Sequence, residues 1–224
     1  MSRYDGLADE YEAFMATGSD YYLTAAGALV RLLGPGSGRC LDLGCGGGHF
    51  IPAVRDLGWQ IVGTDLSVDQ LRHARRRFPD VRFVQADACA LPFTDASFDA
   101  AYSTFTHTDF DDFAAAVTEV RRVLRRGGRF VYIGNHPCFV GASQEHGKTG
   151  VPVLHEGYRG AGRRDAATAP GATPGGWRAR LESFVHLPLG PFLTAFAGLT
   201  LVAAEELDDG FEYPKTFALA WTKP

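Results

Sequence analysis

The chain has 224 residues, a formal net charge of −4 and 46% hydrophobic residues, which suits a single globular domain with a sizeable core. This acidic balance gives no basic footprint for nucleic acid, and no apolar stretch approaches the ~20 residues of a membrane span. Polar residues at positions 4, 5, 9 and 10 interrupt any apolar leader, so we expect a cytoplasmic protein.

Helix and strand patterns alternate along the chain. The predicted helices cover 5–15, 20–33, 49–57, 67–77, 111–125 and 188–197. The predicted strands cover 39–43, 60–64, 81–85, 98–103, 129–134, 199–206 and 214–222. Regular alternation of this kind favours an α/β fold, with a mostly parallel sheet covered by helices on both faces. The last two strands have no helix between them, which predicts an antiparallel hairpin.

A glycine-rich turn follows the first predicted strand and spans residues 44–48. Such a turn brings bare backbone N–H groups, and the positive end of the next helix, up to a ligand. The second strand ends at Asp65, 21 residues after Gly44 (65 − 44), where a carboxylate suits a ribose diol. These features predict a cofactor that carries a nucleoside. The alternative is an ordinary glycine-rich turn between a strand and a helix.

The dinucleotide fingerprint G-x-G-x-x-G is incomplete here. Counted from Gly44, its last position holds His49, and the register that starts at Gly46 ends on Ile51. Asp42 stands two residues before the first glycine. An acidic residue at the tip of the first strand, followed by Gly-x-Gly-x-Gly, resembles motif I of class I S-adenosylmethionine-dependent methyltransferases. An NAD-dependent oxidoreductase remains the alternative.

The resemblance to this family continues over residues 1–134, in its small-molecule, ubiquinone- and menaquinone-biosynthesis-like type. It rests on Asp65-Leu66-Ser67, 83–88 with 91–93, 97–103, 119–130 and 4–11. It implies that Asp65 binds the ribose of S-adenosylmethionine and that Leu66 covers the adenine. It also implies that the Asp87 side chain and the Ala88 backbone amide reach the adenine edge. The implied set is completed by Tyr11 of the N-terminal helix and by Asp42, Gly44, Gly46 and Ser103.

The same resemblance implies a Rossmann-like, doubly wound sheet of seven strands in the order 3-2-1-4-5-7-6, with strand 7 antiparallel. We expect one domain over 1–224, with cap helices in 1–34 and a lid insertion at about 135–186. The insertion is rich in glycine and proline, and its 160–176 part is expected to be mobile. So long an irregular stretch within a compact domain is usually functional or disordered.

The implied function is methyl transfer to an O, N or C atom of a small organic molecule, such as a secondary metabolite. A further alternative is a protein of this fold that binds the cofactor but catalyses a non-methylating reaction such as a cyclisation. Alignment and exclusion of water suffice for many acceptors. A hydroxyl or carbon acid needs a base, for which we consider His107 after the fourth strand and His136 after the fifth. His186 is a third candidate.

The sequence predicts no metal site, because the cysteines at 40, 45, 89 and 138 form no CxxC pair. The only partner predicted is a small-molecule substrate, with neither nucleic acid nor membrane. The chain is expected to be a monomer or a homodimer.

Overall fold

A seven-stranded sheet forms the centre of the computed structural model, which describes residues 2–16, 20–141, 144–146, 152–169, 180–208, 210 and 212–224. Its strands are β1 Arg39–Leu43, β2 Gln60–Asp65, β3 Arg82–Gln85, β4 Phe98–Thr104, β5 Leu124–Asn135, β10 Thr200–Glu206 and β11 Thr216–Thr222. The order is β3-β2-β1-β4-β5-β11-β10. Neighbours among β1 to β5 are parallel, and β11 is antiparallel to both β5 and β10. The predicted fold class and strand order are confirmed.

The helices cover both faces of this sheet. They are α1 Ala8–Ala16, α2 Asp20–Leu33, α3 Ile51–Arg55, α4 Val68–Arg77, α5 Phe113–Val123 and α6 Leu189–Thr194. Side chains from α5 and α6 pack into one apolar cluster with Phe130 and Trp221, whereas α2 and α3 pack into a second cluster with Tyr102 and Ile133. The central strands are apolar on both sides because both faces are covered.

One predicted helix is much shorter than expected. Residues 46–50 form turns, so α3 begins only at Ile51 and ends at Arg55 instead of covering 49–57. Three of the four glycines before it, Gly44, Gly46 and Gly48, adopt positive φ, a conformation that a helix cannot continue. A helix of five residues has only a small dipole, so the predicted contribution of a helix dipole to ligand binding is weakened. Binding then depends on the backbone N–H groups of the turn itself.

Two small hairpins lie where the sequence predicts an irregular insertion. β6 Gln144–His146 pairs with β7 Pro152–Leu154, and β8 Gly162–Asp165 pairs with β9 Ser183–His186, both antiparallel. The second hairpin contacts the segment after β4, since the backbone N–H of Val185 donates to the Thr108 carbonyl at 2.7 Å. β8 lies within the stretch expected to be mobile, and residues 170–176 of that stretch lie outside the described residues.

Candidate functional site

A cavity of about 310 Å³ opens where the carboxyl ends of β1, β2, β3 and β4 meet. This is the edge at which ligands bind to sheets of this topology. Seven of the nine residues predicted to bind the cofactor line it. They are Tyr11, Gly44, Gly46, Asp65, Leu66, Asp87 and Ala88. Segments that are far apart in sequence therefore meet around one space.

The glycine-rich turn is fastened to the end of β2 by main-chain hydrogen bonds. The N–H groups of Gly44 and Cys45 both donate to the Thr64 carbonyl, at 2.8 and 2.9 Å. Gly44 has φ +72°, and a Cβ atom placed there would lie 2.6 Å from Cγ2 of Thr106. Both conformation and space therefore demand glycine at this position.

Asp65 is held at the end of β2 by two backbone donors. Its Oδ2 accepts from the Gly46 N–H and its Oδ1 from the Ser67 N–H, both at 2.8 Å. Burial raises the pKa of Asp65 to about 6, although these two hydrogen bonds favour the ionised form. Each carboxylate oxygen has a second lone pair, so the group can also accept from the two hydroxyls of a diol.

The walls beyond Asp65 combine an exposed apolar side chain with a carboxylate. Leu66 is 44% exposed and presents an apolar surface that suits contact with a flat ring. Asp87 follows β3, and its Oδ1 accepts from the Cys89 N–H at 2.8 Å, which fixes the carboxylate next to Ala88. An apolar surface next to a polar edge matches the shape and polarity of a purine base.

The two other predicted cofactor residues lie outside the cavity lining. Asp42 is buried, and its Oδ2 accepts from the Tyr102 hydroxyl at 2.8 Å. The Ser103 hydroxyl donates to the Leu43 carbonyl at 2.8 Å and lies 2.6 Å from Oγ1 of Thr106. These bonds join the tip of β1 to the end of β4, and Ser103 also contacts Thr106 in the segment after β4. Their positions indicate support of the turn rather than contact with a ligand.

Gln70, which sequence reasoning missed, also lines the cavity. The residue is 2% exposed, and neither Nε2 nor Oε1 of its side chain has a hydrogen-bond partner in the part of the chain that the structure describes. Gln70 shares the buried face of α4 with Leu71 and Ala74. A polar residue on the apolar face of a predicted helix is the signal that could have identified it.

The N-terminal helix is anchored to the glycine-rich turn by a charged cluster. Oε1 of Glu12 lies 3.0 Å from Nε2 of His49, and Glu12 also pairs with Arg77. Burial opposes ionisation, but the hydrogen bonds from His49 and Arg77 lower the pKa of Glu12 to about 2. His49, the residue that breaks the dinucleotide fingerprint, therefore holds α1 and its Tyr11 beside the cavity.

Ion pairs between lining residues lie at the exposed mouth of the cavity. Arg3 of the N-terminal segment and Arg163 of β8 both contact Oδ1 of Asp111, at 2.6 and 2.7 Å. Arg3 also donates to the Asp109 carbonyl at 2.8 Å. Aromatic rings complete this side of the lining, at Tyr4, Tyr11, Phe105 and Phe110. Two segments remote from the glycine-rich turn thus share one carboxylate.

The structure does not bring the three candidate histidines to the cavity. His107 is 2% exposed, with Nδ1 2.6 Å from the Tyr132 hydroxyl and its ring against Phe192. Nε2 of His136 lies 3.2 Å from Oε1 of Glu206, and burial lowers the pKa of this histidine.

His186 lies with Nε2 2.7 Å from the Tyr158 carbonyl. The cavity lining that the structure describes includes no histidine. Neither His107 nor His136 lies in the lining of this cavity, and a role of either as a base stays a prediction.

No helix in the described residues is both long enough and apolar enough to cross a membrane. No group of three His, Cys, Asp or Glu side chains is arranged to hold a metal ion within those ranges.

The chain is similar to known methyltransferases. Residues 41–132 match the family described as "Methyltransferase domain". The demethylmenaquinone methyltransferase of Renibacterium salmoninarum is 38% identical over 102 residues, which cover 45% of this chain and 43% of that protein. A fatty-acid O-methyltransferase of Mycolicibacterium smegmatis is 37% identical over 129 residues, which cover 53% of this chain and 43% of that protein.

Among solved structures, an S-adenosylmethionine-dependent methyltransferase from Mesorhizobium loti matches with a TM-score of 0.71 and 25% identity. The match covers 89% of this chain and 96% of that one. The chain spans about half the length of the curated relatives it matches. The region that matches the family, residues 41–132, contains the glycine-rich turn and Asp65.

Proposed function

We propose that this chain transfers the methyl group of S-adenosylmethionine to an O, N or C atom of a small, partly apolar molecule. The basis is that the chain belongs to the class I S-adenosylmethionine-dependent methyltransferase family. One observation carries this proposal. One cavity is surrounded by a glycine-rich turn, a carboxylate that can accept hydrogen bonds from a diol, and an exposed leucine. No alternative function is favoured by the comparisons, which match methyltransferases rather than oxidoreductases.

The residues around the cavity fit this cofactor. Asp65 offers acceptors for the ribose hydroxyls, Leu66 offers an apolar surface for the adenine, and Asp87 offers an acceptor for its amino group. Gly44 and Gly46 have no side chain, which leaves the backbone of the turn open to the amino-acid end of the cofactor. When bound, S-adenosylmethionine supplies a methyl group that is already electrophilic. The chain's own task is to align the acceptor and exclude water.

The acceptor is proposed to lie between the N-terminal segment and the segment after β4. Tyr11, Phe105 and Phe110 give this side aromatic surface, and Asp109 and Asp111 add carboxylates. With no histidine in the described lining, general-base catalysis by His107 or His136 is not part of the proposal. Alignment alone is enough if the acceptor is an amine or an oxygen that is ionised in solution.

The proposed domain organisation is a single domain in which the N-terminal segment and the 135–186 insertion cover the cavity. Arg3 and Arg163 come from these two segments, and both pair with Asp111. The Arg163–Asp111 pair is exposed and is worth ~1 kcal/mol or less, so it can open and close at little cost, whereas Arg3 is only 16% exposed and also donates to the Asp109 carbonyl. Such a cover would admit the acceptor and then exclude water.

The test is incubation of the purified protein with S-adenosylmethionine and an acceptor panel, followed by mass spectrometry. The curated relatives suggest a demethylmenaquinone and a free fatty acid as panel members. We expect S-adenosylhomocysteine to form together with a product heavier by one CH₂ unit, and Asp65→Ala to reduce both. Binding of NAD instead of S-adenosylmethionine would contradict the proposal. Conversion of an acceptor to a product of unchanged mass would favour the cyclisation alternative.

A further inference from the structure

The N-terminal helix α1 is docked on the rest of the protein through polar side chains. Of its nine residues, all of which the structure describes, Ala8 alone is buried. Two acidic residues face α4 instead, where Oδ1 of Asp9 lies 2.7 Å from Nε2 of His73 and Glu12 pairs with Arg77. A helix that buries so little apolar surface can detach without unfolding the core, so its place beside the cavity depends on these polar contacts.

Glu12 makes the contacts that reach the glycine-rich turn. Its side chain is 12% exposed, and its Oε1 lies 3.0 Å from Nε2 of His49, directly after the turn. Its other carboxylate oxygen accepts from Arg77, and Nη1 of the same arginine donates to the Gly47 carbonyl at 2.6 Å. One carboxylate therefore joins α1 both to the turn and to α4.

Gly47 provides the space for this carboxylate. A Cβ atom at this position would collide with Oε1 of Glu12 and would lie 3.0 Å from its Cδ. Gly44, Gly46 and Gly48 adopt positive φ, whereas Gly47 does not, and Gly47 is not among the described residues that line the cavity. Its missing side chain therefore serves the contact with Glu12 rather than the backbone conformation or the ligand.

The residue that precedes Glu12 in α1 faces the cavity. Tyr11 is part of the lining, and its ring lies 6.4 Å from the ring of His49 at an angle of 79°. Successive residues of an α-helix are about 100° apart around its axis. The helix can thus present Tyr11 to the cavity while it presents Glu12 to the turn and α4, and a contact that fixes Glu12 also fixes Tyr11.

We propose that Glu12 is a positioning residue, which docks α1 on the glycine-rich turn and thereby holds Tyr11 against the bound cofactor. Glu12 itself lies outside the described lining of the cavity, so its effect on the ligand passes through Tyr11. This inference rests on the proposed function, because it requires that the cavity bind S-adenosylmethionine.

The test is a double-mutant cycle in which calorimetry measures the affinity for S-adenosylhomocysteine. Truncation of an aromatic contact residue usually costs about fivefold in affinity or more, and we expect this loss in Tyr11→Ala. Glu12→Ala should lose a similar factor, because the detached helix no longer presents Tyr11. The double variant should bind no more weakly than Tyr11→Ala alone, since both substitutions remove the same contact with the ligand.

The cycle separates positioning from support of the fold. If Glu12 only stabilised the protein or the turn, its loss would multiply that of Tyr11→Ala in the double variant, and the proposal would be overturned. Unchanged affinity in Glu12→Ala would overturn it as well. Failure of the wild type to bind S-adenosylhomocysteine would overturn the proposed function together with this inference, whereas equal binding by wild type and Glu12→Ala would overturn this inference alone.

Gly47→Ala tests the same contact from the side of the turn. Alanine suits the backbone at this position and displaces only the end of the Glu12 side chain, so it disturbs the docking of α1 without removing a charge. We expect the same loss of affinity as in Glu12→Ala. Gly27→Ala is the matched control and should bind as wild type, since a Cβ atom there meets nothing within 4 Å. Should Glu12→Ala fail to fold, unchanged affinity in Gly47→Ala would overturn the proposal.

Discussion

The two sides of the cavity are built by different interactions. On the side of β1 to β3, backbone N–H groups of the glycine-rich turn donate to the Thr64 carbonyl and to Asp65. On the side of the N-terminal segment and β8, charged side chains of Arg3 and Arg163 converge on Asp111, which is 65% exposed. Main-chain bonds within a packed sheet form a preorganised site, whereas exposed ion pairs open readily. The first side suits a constant ligand and the second a variable one.

Removing the carboxylate of Asp65 should cause the largest loss on the cofactor side. We expect Asp65→Ala to weaken binding of S-adenosylhomocysteine by about 1.5–3 kcal/mol, because a charged acceptor for the ribose diol is lost. Isothermal titration calorimetry measures the change. Asp80→Ala, at an exposed carboxylate that pairs with Arg55, is the matched control and should bind as wild type. Equal affinity in Asp65→Ala would refute the ribose assignment.

The rigidity of the turn predicts a comparable loss of stability in Gly44→Ala. Alanine there must adopt φ +72° with its Cβ 2.6 Å from Thr106, which should lower the free energy of unfolding by about 1–3 kcal/mol. Gly27→Ala is the control, since a Cβ atom on that helical residue meets nothing within 4 Å. Alanine at 27 should stabilise the protein by up to ~1 kcal/mol. Denaturant unfolding that ranks the two variants in the opposite order would show that the turn is not rigid.

Low pH should weaken binding of the cofactor. Burial raises the pKa of Asp65 to about 6 in the free protein, and the ionised carboxylate accepts from both hydroxyls of a ribose diol more strongly than the protonated group does. Protons therefore compete with the ligand, and affinity should decrease as the pH falls below about 6, approaching about tenfold per pH unit. Calorimetry with S-adenosylhomocysteine from pH 5 to 8 measures this dependence. It should disappear in Asp65→Asn, and its persistence there would assign it to another group.

Breaking the ion pairs at the mouth should have the smallest effect on ligand affinity and the largest effect on hydrogen exchange. Asp111→Ala should change affinity for S-adenosylhomocysteine by ~1 kcal/mol or less. It should also speed hydrogen exchange in residues 2–16 and 152–169. In wild type, both the N-terminal segment and the insertion should gain protection when cofactor and acceptor are bound. Asp95→Ala, which breaks an exposed pair with Arg122 away from the cavity, is the control. Unchanged exchange in Asp111→Ala would mean that these pairs do not hold the cover.

The same contrast explains what the sequence could predict. The residues of the cofactor side occur in short contiguous motifs at strand ends, so a linear pattern reveals them, as with Gly44, Gly46 and Asp65. The alternation of elements predicted a mostly parallel sheet, and the strand order followed from the family resemblance. The short α3 was not predicted, because the apolar pattern from Phe50 to Leu57 does not reveal that the preceding turn extends as far as residue 50.

The mouth of the cavity could not be predicted in this way. The contact of Arg3 and Arg163 with Asp111 joins three segments that share no motif. The placement of His107 depends on Tyr132 and Phe192, which reach it only through the folded sheet and α6. A histidine in a loop after a strand therefore carried too little information to assign it to a substrate.

A crystal structure of the complex with S-adenosylhomocysteine tests the central claim most directly. We expect the ribose hydroxyls within hydrogen-bond distance of the Asp65 carboxylate, the adenine against Leu66, and the amino-acid end beside the glycine-rich turn. An adenosine bound elsewhere, or bound in this cavity without contact to Asp65, would contradict the account.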